Sequence, residues 1–183
     1  MSPALRTIAL ALVFTCSTFA LADEAAKDSV TLNVKGDGVK KVEASQTQIG
    51  FSSTRVFYTL GSQNAIVVMH IDNTNEKFPV AAKVYQFAKG VTADDLGKWV
   101  NNQHSDGLYP EVPEPTAVHE LKADAIKAVS SKRIGPAKGG PDDDSYDMYT
   151  VAFEAKTVEL KKNLQLGAFK DSATVYKKVP AEK

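Results

Sequence analysis

The sequence predicts a mainly β fold: an antiparallel β-sandwich of about seven short strands with one helical insertion, an α+β arrangement being the alternative. Three observations predict it. β-branched and aromatic runs recur along the chain, clusters of turn-forming residues separate them, and one segment carries a clear helix signature.

Val30, Leu32 and Val34 alternate and stop at Gly36, Asp37 and Gly38, which supply turn chemistry. Runs at 56–60 and 65–71 flank Gly61, Ser62, Gln63 and Asn64, the pattern of a hairpin. The second run is apolar at both parities, so it reads as a central strand covered on both faces. Asp72, Asn73, Thr74 and Asn75 end it, and a further strand follows Pro79 over 80–87.

Thr92 is placed to cap a helix whose first turn carries Asp94 and Asp95. Leu96, Trp99 and Val100 then form one apolar face, and Asp94 and Lys98 form an i,i+4 pair on another. Gly97 weakens the helix interior by about 1 kcal/mol. Pro110, Pro113 and Pro115 keep the following segment extended. Val118, Leu121, Ala125 and Val129 follow helical spacing, but 126–134 also reads as a strand, and periodicity leaves both open. Gly135 to Pro141 reads as a loop tip. Tyr149, Val151 and Phe153 alternate as a strand, and 158–166 and 173–179 each read as one more.

Residues 1–22 have the order of a secretory signal peptide: Arg6 in a basic start, an apolar run over 8–14, and a small-x-small site ending at Ala22. Cleavage between Ala22 and Asp23 is therefore expected to leave residues 23–183 as a single globular domain, periplasmic or secreted. The only cysteine, Cys16, falls in the discarded segment. The residues before it lack the small pair that precedes a lipidated cysteine. A cysteine-free exported chain fits a bacterial periplasm, and neither a disulfide nor a blue-copper site is available to it. No segment reaches the length needed for a membrane span. With 22 Lys+Arg against 22 Asp+Glu, the chain has no basic field for nucleic acid.

Motifs for nucleophilic and phosphate chemistry are absent. There is no G-x-S-x-G or S-x-x-K, and the lysine in 135–140 is misplaced for a phosphate-cradling loop. The acidic stretch from Asp142 has Asp147 and Phe153 where a calcium loop needs glycine and glutamate. Glu111 and Glu114 have the types of a glycosidase pair, but acids between prolines on a loop more often serve solvation. Trp99 belongs to the helix's apolar face, with a stacking platform as its second reading. No cofactor is expected.

The leading functional expectation is a binding module that engages a protein or small ligand through the Pro-rich loop 104–119. There Leu108, Tyr109 and Val112 would form an apolar centre rimmed by Glu111 and Glu114. The alternative is a periplasmic metal-binding or metal-dependent hydrolytic protein using His104, His119 and nearby acids. His70 is excluded from sharing an ion with Met69, because neighbours on a strand point to opposite faces.

Overall fold

In the computed structural model the described residues are 29–45, 52–104, 109–137 and 146–179. They form β1 (Val30–Leu32), β2 (Val39–Ser45), β3 (Ser53–Leu60), β4 (Ala65–Asp72), β5 (Val80–Gln86) and α1 (Ala93–His104). The remaining strands are β6 (Ala117–Glu120), β7 (Ile126–Pro136), β8 (Tyr146–Ala155), β9 (Val158–Lys161), β10 (Leu164–Leu166) and β11 (Phe169–Lys178). The fold is mainly β, as the recurring short runs predict.

Three sheets carry the architecture: β2-β3-β4-β5-β6, β11-β8-β7 and a small β1-β10-β9 sheet. The inner face of the five-stranded sheet presents Val56, Tyr58, Val67, Met69 and Val84 to Val151, Phe153, Phe169 and Val175 of the facing sheet. Burial of these side chains makes the main core, each contributing on the order of 1.5–3 kcal/mol. Leu32, Leu164 and Leu166 of the small sheet join it. On the outer face, Phe57 and Ile66 receive Leu96, Trp99 and Val100 of α1. The run over 65–71 is apolar at both parities because one parity faces a sheet and the other faces a helix.

The β3–β4 hairpin pairs in register from Ser53 with Asp72 to Leu60 with Ala65. A short 3-10 turn, Gly61–Gln63, closes it, and Asn64 takes the left-handed conformation at φ 47°. At the start of α1, Thr92 Oγ1 accepts from the Asp95 N–H at 3.1 Å, and Asp95 Oδ2 accepts from the Thr92 N–H at 3.2 Å. This reciprocal pair satisfies donors that the first helical turn leaves open.

The choice left open over 117–134 falls to strand, and other expectations need correction. The helical spacing of Val118, Leu121, Ala125 and Val129 does not produce a helix: these residues fall on β6, a short turn and β7. Strand pairing wins because β6 joins β5 and β7 runs along β8, satisfying backbone groups at both positions. The segment 158–166 is two strands joined by a tight turn at Lys162 and Asn163, with Asn163 at φ 66°. β2, rich in lysine, is an edge strand that no apolar alternation announced. With β2, β6, β7 and the division of 158–166 into β9 and β10, the eleven strands of the described residues outnumber the expected seven or so.

Candidate functional site

The outer face of the five-stranded sheet is built by strand periodicity. Arg55 and Phe57 on β3, Val68 and His70 on β4, Ala81, Lys83 and Tyr85 on β5, and Glu120 on β6 share one side. Register sets them in rows. Arg55 stands opposite His70, and His70 opposite Ala81. Phe57 stands opposite Val68, which faces Lys83, which in turn faces Glu120.

Helix α1 crosses this face but does not cover all of it. Beyond Trp99 and Gln103 a groove of about 420 Å³ lies open, with the Arg55, Val68, His70, Ala81, Lys83, Tyr85 and Glu120 side chains along it. That volume falls in the range of small-molecule sites, about 300–1,000 Å³. Trp99 is 6% exposed and packs its ring at 4.8 Å from Tyr85 and 5.6 Å from Phe87. The indole is thus fixed in place at the groove wall, while Val68 and Tyr85 are half-buried and accessible from the groove.

The polar groups of the groove differ in their engagement. Arg55 donates from Nη1 to the Gln103 carbonyl at 2.8 Å, an acceptor in the last turn of α1 where the helix dipole favours a cation. No carboxylate among the described residues lies within ion-pair distance of its guanidinium. Lys83 Nζ and Glu120 Oε1 neutralise one another at 2.6 Å. His70 is exposed at the groove and has no hydrogen-bond partner among the described residues. Burial and then the neighbouring Arg55 charge hold its pKa below the usual histidine value, against a smaller opposing effect of Asp72. It is therefore a neutral imidazole at neutral pH.

The sequence-predicted loop is only partly an open surface. Tyr109 is 37% exposed, and its backbone is clamped by Asn102, whose Oδ1 accepts from the Tyr109 N–H at 2.9 Å and whose Nδ2 donates to its carbonyl at 2.7 Å. Val112 turns inward and packs on the cluster of Phe57, Trp99 and Val100. Glu111 and Glu114 are exposed. Leu108 lies outside the described residues, as does the side chain of His104.

His119 is placed on the face of β6 opposite to Glu120, away from the groove. Its Nε2 lies 3.0 Å from Gln86 Oε1, which also accepts from Lys161 Nζ at 3.1 Å. A carbonyl oxygen has no hydrogen to give, so His119 Nε2 is the donor and is committed to that contact. Among the described residues no three or more His, Cys, Asp or Glu side chains gather to hold a metal ion. Residues 142–144 lie outside the described residues, and Asp147 is held by Arg133 through contacts of 2.7 and 2.6 Å.

Sequence reasoning missed Arg55, Lys83, Tyr85 and Glu120, and treated His70 only as a possible metal ligand. A signal existed. Reading every second residue of the three runs 55–59, 66–70 and 81–85 selects one face carrying arginine, histidine and lysine among apolar groups. Comparison with protein-family models, with curated proteins and with solved structures returned no match.

Proposed function

We propose that the protein is an exported binding module whose recognition surface is the groove between α1 and β6 rather than the loop 104–119. The observation that carries this reading is the juxtaposition of an immobilised aromatic wall, Tyr85 and Trp99, with polar side chains of which His70 has no hydrogen-bond partner among the described residues. Binding sites combine a preformed apolar surface with a few converging polar groups, and this groove has both. The loop has less to offer a partner, because Val112 is spent on packing against the helix and sheet. Export rests on the signal-peptide order of residues 1–22.

Amide chemical-shift mapping against a set of small aromatic and aliphatic compounds tests this reading. Shifts concentrated on Arg55, Val68, His70, Lys83 and Tyr85 are expected. Shifts concentrated on Tyr109 to Thr116, with the groove unmoved, would return recognition to the loop and overturn the groove.

A further inference from the structure

The groove's electrostatics define the class of ligand it suits. This inference rests on the groove being the recognition surface and goes further by naming the chemistry recognised. Glu120 cancels the charge of Lys83 at 2.6 Å, so that pair leaves no net charge at its end of the groove. The other end is different. Arg55 spends Nη1 on the Gln103 carbonyl and has no carboxylate partner among the described residues, so a full positive charge and several N–H donors are left for another acceptor. The bond to Gln103 also restricts the guanidinium, which lowers the ordering cost of a second contact.

His70 stands directly across from Arg55 on the neighbouring strand and adds an imidazole with no hydrogen-bond partner among the described residues. The pair thus forms a donor-rich corner with a charge of one, the imidazole being neutral, while the Asp72 carboxylate further along β4 is engaged by the Thr74 N–H at 2.8 Å and the Thr74 hydroxyl at 2.6 Å. Such a corner matches a monoanion. A phosphate dianion would carry a charge that nothing nearby offsets, because Lys83 is already engaged by Glu120. The planar fork of arginine matches a carboxylate through two parallel hydrogen bonds. Next to this corner lie Phe57, Val68, Tyr85 and Trp99, an apolar surface without a charge of its own.

We propose that the groove binds amphipathic monocarboxylates: the carboxylate is held by Arg55 with His70 beside it, and the apolar body lies along Val68, Tyr85 and Trp99. The ligand is then oriented, head toward β3 and β4 and tail toward the helix.

The test uses the whole mature protein and three probes, phenylacetate, phenylpropionate and decanoate, each beside its primary amide of the same shape. Trp99 is the only tryptophan in the chain, so its fluorescence reports the groove itself. At least one acid should perturb Trp99 emission saturably and bind about tenfold or more tightly than its amide, the margin of a charge-assisted hydrogen bond. Arg55→Gln should erase that margin, weakening the acid far more than the amide. Lys132→Gln, at an exposed lysine of β7 on the facing sheet and away from the groove, should preserve it, which separates a specific corner from general positive charge.

The outcomes distinguish the two levels of the reading. Acid and amide binding equally, with Arg55→Gln without effect, would overturn the carboxylate assignment and leave the groove as the recognition surface. No saturable response from any acid or amide, in emission or in amide shifts of groove residues, would overturn both. Comparing acids and amides on the unaltered protein keeps the test valid even if Arg55→Gln fails to fold.

Discussion

Tyr58, on the interior strand β3, donates its hydroxyl hydrogen to Asp171 Oδ2 on β11 at 2.9 Å, joining the two facing sheets from within the sandwich. Burial, and then the Asp171 carboxylate that accepts this hydrogen, push the phenol far above its ordinary pKa, so it stays protonated. Lys41 on β2 lies 3.5 Å from the same carboxylate oxygen, and the Ser172 backbone N–H donates to the other at 2.8 Å. Tyr58→Phe removes one donor of several and should cost about 1–2 kcal/mol, read as a lower urea midpoint with an unchanged slope.

Asp171 gives the acid limb of stability a definite sign. Burial acts to raise its pKa, but the Ser172 N–H, the Tyr58 hydroxyl and nearby lysines outweigh burial and hold it below the usual carboxylate value. The folded state therefore binds this proton less readily than the unfolded state does. Its contribution is complete above the ordinary carboxylate pKa and is lost as pH falls through the lowered folded value. Urea midpoints measured from about pH 6 down to about pH 3 should show Asp171→Asn with a shallower acid decline than the unaltered protein. An equally steep decline would remove Asp171 from the account of acid stability.

The helix cap and the helix face separate in magnitude. Thr92→Ala removes the acceptor for the Asp95 N–H and should cost about 1 kcal/mol. Trp99→Ala empties a site shared with Tyr85, Phe87 and Leu96 and should cost about 3–5 kcal/mol. Denaturant titration of the two variants checks the order. A Trp99 variant losing less than the Thr92 variant would mean that α1 lies loosely on the sheet.

Much of this architecture was legible because the residues concerned act locally. The β3–β4 hairpin follows from two β-rich runs and four turn residues, and α1 from its threonine cap and its apolar spacing. β2 was not legible, because an edge strand with Lys40, Lys41 and Glu43 exposed needs no alternation. β7 was ambiguous for a different reason. Its register with β8 shifts between Ala128 and Ser130 and between Arg133 and Gly135, so Val129 and Ile134 sit at bulges and the two-residue period is broken. Those two exposed apolar residues then fall into a spacing that imitates other patterns. The groove was hidden because its residues meet only through the registers of four strands, and no local motif records that.

The loop 104–119 is the place where a chemically sensible sequence reading diverges most from the packing. Val112 contributes to the cluster under α1, so Val112→Ala should lower stability by roughly 1 kcal/mol, as for partial loss of a packed aliphatic group. Tyr109→Ala should leave stability within about 0.5 kcal/mol, since the clamp from Asn102 reaches the backbone and not the ring. Thermal or urea midpoints of the single variants decide this. Equal and negligible losses would restore the loop as an independent surface.

The central claim is that recognition occurs in the groove. Ala81, exposed on β5 opposite His70, allows the groove to be blocked without entering the core. The most direct measurement is the affinity of the tightest-binding carboxylate probe for Ala81→Phe beside Tyr109→Ala, both first shown to match the parent in urea midpoint. The account predicts that Ala81→Phe weakens binding at least about tenfold by filling the groove, while Tyr109→Ala binds as the parent does. Retained affinity in Ala81→Phe together with lost affinity in Tyr109→Ala would contradict it and move the site to the loop.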